Sequence, residues 1–225
     1  MGLFTTKDSE SINNLATNFY VPTSKNALII FTRNPELGKC KTRLAKTIGN
    51  QAALGIYMHL LSHTAQISKK STADKFVFYS ENIIENDLWN SEVFRKKMQQ
   101  GSDLGERMEH AFTELFALGY EKVVIIGSDL LDLKTTHIDN AFKLLQEHDL
   151  VIGPAKDGGY YLFGMKKLQP NIFKNKAWGT STVLKDTLND IQNCTFVLLE
   201  ALNDIDTFED IQSYQQLKKF YITND

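Results

Sequence analysis

Residues 33–46, RNPELGKCKTRLAK, set five basic side chains (Arg33, Lys39, Lys41, Arg43 and Lys46) against one acid, Glu36, directly after the apolar run ALIIF. The whole chain has a formal net charge of −2, so this positive charge is a local feature and points to a local anion. Lysines offer point charges and arginines forked donors, a combination suited to phosphate. Gly38 permits close backbone approach, and a helix starting near Lys41–Thr42 would aim its first N–H groups at an anion. A solvated basic helix start is the alternative. Basic residues at a helix N-terminus oppose the macrodipole by about 0.3–1 kcal/mol each, a conflict that a bound anion removes. The stretch is not a Walker A loop, because Arg33 stands where the first glycine is required and Cys40 where Ser or Thr is required.

Three further stretches carry carboxylates or glycines just after apolar runs. IIGSDLLDL (125–133) places Asp129 past a buried strand, where it could hold Mg²⁺ or Mn²⁺ together with ligand phosphates. Asp132 is then a supporting or turn residue, and ordinary loop and cap roles for both aspartates stay open. LNDIDTFED (202–210) offers Asp204 and Asp206 as a second carboxylate contribution to such a metal, although Asp206 could simply cap the terminal helix. AKDGGYYLFG (155–164) reads as a hairpin through its Asp-Gly pair. Its paired glycines, Gly158 and Gly159, also let a sugar or base approach the backbone, and Asp157 is the candidate catalytic base. In WGTSTV (178–183), Gly179, Thr180 and Ser181 open a helix beside Trp178, where backbone N–H groups could hold an anionic group; a loop aromatic plugging the core edge is the alternative.

These stretches need a scaffold that brings them together. Apolar runs at 27–31, 75–79, 122–127, 149–154, 160–165 and 195–199 predict strands. Ala53, Ile56, Tyr57, Leu60, Leu61 and Thr64 trace a helix stripe, and helices are also predicted over 104–118, 136–147, 181–191 and after Thr207. Asp103 with Glu106 makes a capping-box-like start, and Asp210 is expected to belong to the cap at Thr207. Alternation of apolar strands with helices predicts a single α/β domain over 26–225, a three-layer sandwich with a mainly parallel central sheet plus a small hairpin. In such sheets the ligand crevice lies beyond the carboxyl ends of the strands, where four of these stretches, all but 178–183, fall. Residues 1–25 are predicted to be an N-terminal arm, loose or with a short helix carrying Ile12, Leu15, Ala16 and Phe19.

Composition narrows the function further. With 42% hydrophobic residues the chain can bury a substantial core, and its near-neutral charge argues against general nucleic-acid binding. No apolar run approaches the roughly 20 residues of a membrane span, and the N-terminus lacks a secretory pattern. Two cysteines, Cys40 and Cys194, fit no metal-ligand spacing and suggest a reducing compartment, so a cytoplasmic location is expected. His59 and His63 lack an H-E-x-x-H context and are expected on the helix surface. Nothing in the sequence reports oligomeric state.

Read in order, FTRNPELGKCKTRL, QGSDLGERM, GSDLLDL, GPAKDGGYYLFG, FKNKAWGTSTVL and DIDTFEDI resemble the bacterial family of small glycosyltransferase-A-like (GT-A type) proteins in the nucleotide-diphospho-sugar transferase superfamily, some associated with arsenosugar biosynthesis. The chain also resembles, more distantly, 2-phospho-lactate guanylyltransferases and molybdenum-cofactor nucleotidyltransferases. The resemblance spans residues 27–212 and implies a Rossmann-like fold, a nucleotide-phosphate loop at 33–43 and a divalent metal near Asp129. One departure is Leu130–Leu131, where the family usually has a small residue and proline.

The expected function is a metal-dependent transferase with a nucleotide-activated donor and a small-molecule acceptor, most simply a glycosyltransferase using a nucleoside-diphosphate sugar. Lys39, Lys41 and Arg43 would share the leaving-group charge with the metal, and Arg33, Gly38, Trp178, Thr180 and Ser181 would help bind the donor. Two alternatives stay open: a nucleotidyltransferase joining a nucleoside triphosphate to a phosphorylated acceptor, and a nucleotide-binding protein without turnover.

Overall fold

A computed structural model describes residues 21–222. Most of the expected N-terminal arm, including its proposed helical stripe, lies outside the described residues. Seven strands form one sheet: β1 (Asn26–Thr32), β2 (Asp74–Tyr79), β3 (Phe94–Met98), β4 (Lys122–Ile126), β5 (Leu150–Pro154), β6 (Tyr160–Met165) and β7 (Phe196–Leu198). The helices are α1 (Thr42–Ile48), α2 (Asn50–Lys69), α3 (Leu104–Ala117), α4 (Thr135–Leu144), α5 (Val183–Asp190) and α6 (Phe208–Ile211), with short 3₁₀ turns at Pro170–Phe173 and Gln215–Phe220.

Spatially the strands run β3-β2-β1-β4-β6-β5-β7. β6 alone is antiparallel to both of its neighbours, β4 and β5. The expected hairpin therefore exists, but it is part of the main sheet rather than an appendage: β6 folds back between β4 and β5. The central strands are apolar on both faces because both are covered. In β1, Leu28 and Ile30 join the cluster beneath α2 and α4, while Ala27 and Ile29 join the cluster beneath α3. A third cluster ties α1 and α2 to the C-terminal segment through Leu44, Ile56, Ile205 and Leu217.

One strand lies outside the expected elements. β3, FRKKM, buries only Phe94 fully, so its polar edge-strand sequence carries no apolar run to reveal it. The basic stretch does lead into a helix, but α1 is separated from α2 by a break at Gly49.

Register explains why the chemistry collects at one edge. Thr32 pairs with Tyr79 and Ile30 with Ile126, so β1 and β2 end level and β4 ends two residues earlier along β1. β6 begins where β4 ends, which puts the 155–159 turn at the same edge. β7 runs parallel to β5, and an isolated bridge from Ala155 to Leu202 carries the chain to the same edge before Asp204.

Candidate active site

Lys41 is the hinge of this edge. It precedes α1 in the left-handed conformation (φ 48°, ψ 47°) and offers no side-chain cap. Its side chain instead turns inward, only 7% exposed, and its Nζ donates to Asp129 Oδ2 at 3.0 Å with Asp206 Oδ1 at 3.9 Å. Burial disfavours the ammonium charge, but Asp129 and then Asp206 outweigh it, and the pKa of Lys41 lies above the ordinary lysine value. A non-glycine residue held at positive φ is costly, and such strain concentrates at functional positions. Arg43, the second residue of α1, donates from Nη1 to Asp206 Oδ2 at 3.0 Å. The basic loop thus meets the two carboxylate loops directly.

The carboxylate loops are also tied to each other. The Ile205 N–H donates to the Asp129 carbonyl at 3.0 Å. Asp210 holds the 203–207 loop from below: its Oδ2 accepts from the N–H groups of Asp206 and Thr207 at 3.0 and 2.7 Å, and its Oδ1 accepts from Asn203 Nδ2 at 2.8 Å. The expected cap role of Asp210 is therefore present. Asp204 is pushed up to about 6, first by burial and then by the charges of Asp129 and Asp157.

Two adjoining cavities fill the edge. The larger, about 620 Å³, is lined by Arg33, Lys41, Arg43 and Arg107 together with Asp129, Asp157, Asp204 and Asp206. The smaller, about 240 Å³, contains Leu104, Tyr160, Trp178, Thr180 and Val183, and shares Asp129, Asp157 and Asp204 with the larger. Asp157 stands at the seam, its Oδ1 accepting the Gly159 N–H at 2.8 Å.

Most of the residues selected from sequence converge here, but several do not. Lys39 is 71% exposed and pairs with Glu36 at 2.5 Å, an i,i+3 contact that points it away from both cavities. Gly38 serves the loop itself: the Lys39 N–H donates to the Glu36 carbonyl at 3.1 Å, and Gly38 takes the positive φ (77°) of the turn's third position. Gly158 and Ser181 pack backbone to backbone behind the cavity wall, while Gly159 lines it. Asp132 accepts from the Tyr214 hydroxyl at 2.6 Å and plays a structural part. Leu130 and Leu131 are buried in the core clusters beneath α2, so the departure from the family pattern anchors the turn and leaves Asp129 facing Lys41. Cys40 is buried and staples the loop, donating to the Asn34 carbonyl at 3.2 Å.

Sequence reasoning missed Tyr57, Gln99 and Arg107. The Tyr57 hydroxyl grips both the N–H and the carbonyl of Arg33 at 3.0 Å, fixing the start of the basic loop. Gln99 follows β3 and donates to the carbonyls of Thr32 and Phe78 at 3.2 and 2.9 Å. Arg107 is held by the Gly101 carbonyl through Nε at 3.1 Å, and it has no acid partner among the described residues.

Asp129, Asp204 and Asp206 are hard oxygen donors of the kind Mg²⁺ and Mn²⁺ prefer, and a divalent ion would offset the burial of Asp204 and the repulsion it meets from Asp129. Among the described residues no group of three or more His, Cys, Asp or Glu side chains is spaced to hold a metal by itself. One or two carboxylates completed by ligand phosphates is the usual arrangement for Mg²⁺, and this donor set fits it.

The sheet order and this edge define the α/β fold shared by nucleotidyltransferases and nucleotide-diphospho-sugar transferases. The chain belongs to the family described as uncharacterized protein conserved in bacteria (DUF2064), whose model matches residues 63–180, just over half of its length. A crystal structure from Desulfovibrio desulfuricans G20, provisionally described as a nucleotide-diphospho-sugar transferase, superposes with a TM-score of 0.79 at 32% identity, covering 88% of this chain and 93% of that one. A cytidylyltransferase from Leptospira borgpetersenii shares the fold at 13% identity, with a TM-score of 0.57 and 88% of each chain covered. The 2-phospho-L-lactate guanylyltransferase of Methanocaldococcus sp. (strain FS406-22) is 27% identical over 150 residues, covering 64% of this chain and 61% of that protein. The chain thus spans about three fifths of that curated relative's length. Among the described residues no helix is long and apolar enough to cross a membrane.

Proposed function

We propose that this protein is a transferase that takes a nucleotide-activated donor, a nucleoside-diphosphate sugar, and passes the sugar to a small-molecule acceptor. The observation that carries this reading is the direct meeting of Lys41 and Arg43 with Asp129 and Asp206 at the cleft. Cations set beside carboxylates suit a diphosphate carrying a divalent ion, the phosphates meeting the cations and the ion the carboxylates. Arg33, Lys41, Arg43 and Arg107 bind the donor phosphates and neutralise the charge that develops on the leaving group. Asp129 with Asp204 or Asp206 would hold Mg²⁺ or Mn²⁺, which when bound supplies further charge neutralisation at the diphosphate.

In this reaction an acceptor hydroxyl attacks the anomeric carbon. The bond from that carbon to the β-phosphate oxygen breaks, the nucleoside diphosphate leaves with the electron pair, and the hydroxyl proton passes to Asp157 at the seam of the two cavities. Trp178 and the 157–161 turn shape the space for sugar and acceptor. Removing one key charge contact should cost about 10²–10³ in rate, as for other pre-organised electrostatic sites. A cytoplasmic location, where activated nucleotides are made, accords with the two free cysteines.

A second reading, nucleotidyl transfer with pyrophosphate release, is favoured by the 27% identity to a guanylyltransferase. Incubation with nucleoside-diphosphate sugars and with nucleoside triphosphates in the presence of Mg²⁺ separates the two. Release of nucleoside diphosphate supports the first and release of pyrophosphate the second.

A further inference from the structure

The two cavities differ in charge. Arg33, Lys41, Arg43 and Arg107 all line the larger one, whereas among the described residues no lysine, arginine or histidine lines the smaller. Its walls are Leu104, Tyr160, Trp178 and Val183, and its floor is the three shared carboxylates. Lys176, two residues before Trp178, has a buried side chain paired with Asp190. The Tyr160 hydroxyl faces away, toward Met108 Sδ at 3.8 Å, so the ring offers this space its apolar surface.

We infer that the compound entering the smaller cavity is uncharged there, a hydroxyl-bearing molecule that packs a flat or aliphatic surface on Trp178 and brings no phosphate or carboxylate. An anion in this space would leave water for walls that carry no lysine, arginine or histidine and would face Asp157 and Asp204, while Lys41 and a divalent ion on Asp129 are engaged by the donor phosphates, and burying an unpaired charge is costly. A neutral hydroxyl compound meets apolar and aromatic walls and finds an acceptor for its proton at Asp157. A positively charged compound would have to compete with Lys41 and the divalent ion for Asp129 and Asp204, and Asp157 already accepts the Gly159 N–H. The inference rests on the donor reading, since it assumes that the nucleotide occupies the larger, basic cavity. It deepens that reading by excluding a phosphorylated acceptor, which nucleotidyl transfer of the guanylyltransferase kind would require.

The test uses two probes that share a phenyl ring and differ in charge, phenyl β-D-glucoside and phenyl phosphate. Each is titrated into the full chain with Mg²⁺ and a nucleoside diphosphate while tryptophan emission is followed, with Trp178→Phe to show which signal comes from Trp178. The expected result is saturable perturbation by the glucoside, with phenyl phosphate binding at least tenfold more weakly. Phenyl phosphate binding as tightly as the glucoside or tighter, or neither probe perturbing Trp178, overturns the inference. A parallel thermal-shift measurement with the nucleotides alone keeps the two failures apart. No stabilisation by any nucleotide sinks the donor reading, whereas a nucleotide shift with phenyl phosphate preferred sinks only the uncharged-acceptor inference.

Discussion

Lys41 Nζ lies 3.0 Å from Asp129 Oδ2 although 88 residues separate them in the chain. The contact joins the loop after β1 to the loop after β4, two strands that are direct neighbours in the sheet. Lys41 is positioned for it by a left-handed backbone that a lysine does not prefer. Stability and function therefore pull in different directions at this residue.

Comparison of Lys41→Gly with Lys41→Ala isolates that conflict. Both variants lose the ammonium, but only glycine is at ease in the left-handed region. The glycine variant should be the more stable in urea unfolding by about 1–2 kcal/mol. Both should lose about 10²–10³ in kcat/KM. Equal stabilities would mean that the backbone at residue 41 carries no strain.

Asp204 predicts a pH-dependent metal affinity. Its carboxyl is pushed up to about 6, above the ordinary value near 3.9 that it has when unfolded. The folded protein therefore holds a proton there between about pH 4 and pH 6 that the unfolded chain has released, and this contribution to stability falls as pH rises across that window. A divalent ion must displace the proton, so Mn²⁺ affinity should rise as pH passes upward through about 6. Titration calorimetry at pH 5 and pH 7.5 checks this, and Asp204→Asn should remove the pH dependence.

Asp210 positions the acidic loop without lining either cavity. Burial raises its pKa, but the hydrogen bonds from Asn203, Thr207 and Asp206 outweigh this and leave it below the ordinary carboxylate value. Its contribution to stability is thus present above about pH 4 and is lost as pH falls through the lowered folded value. Asp210→Ala should cost about 1–2 kcal/mol at neutral pH, the usual loss for a helix cap, and should weaken Mn²⁺ binding by releasing Asp204 and Asp206. Urea unfolding as a function of pH, with the variant as reference, measures both the size and the sign.

Gly105 sets where Trp178 sits. A Cβ there would lie 2.3 Å from the Phe173 carbonyl oxygen and 2.6 Å from Trp178 Nε1. Gly105→Ala must displace one of them, at a cost of about 1–3 kcal/mol typical of overpacking. The expected outcome is a shifted Trp178 emission spectrum and a raised KM for the acceptor, with donor binding unchanged.

Much of this was legible because the decisive signals were local. The apolar runs of β1, β4, β5 and β6 announce themselves, and the rule that ligands bind beyond strand ends gathers Lys41, Arg43, Asp129 and Asp157 without coordinates. What escaped depended on pairing. β3 is a charged edge strand with little to bury, and without it nothing marks Gln99, the next residue, or Arg107, in the helix that follows, as lying beyond a strand's carboxyl end. Had β3 been recognised, the same strand-end rule would have selected them. Lys39 misled for the opposite reason: spacing groups it with Lys41, but the turn at Gly38 sends it outward to Glu36, three residues before it. Tyr57 looked like one more member of a helix stripe, and only the fold shows its hydroxyl reaching the Arg33 backbone.

The shared phosphate site is tested most directly by a ligand-induced stability shift. Nucleoside diphosphates and triphosphates are added with and without Mg²⁺ to the natural chain and to Asp129→Asn. A nucleotide at 100 times its dissociation constant should stabilise the natural chain by about 2.7 kcal/mol, with a larger effect when Mg²⁺ is present. Asp129→Asn should lose the Mg²⁺-dependent part of that shift. An Mg²⁺-dependent shift that persists undiminished in Asp129→Asn, or the absence of any nucleotide effect on the natural chain, would contradict the account.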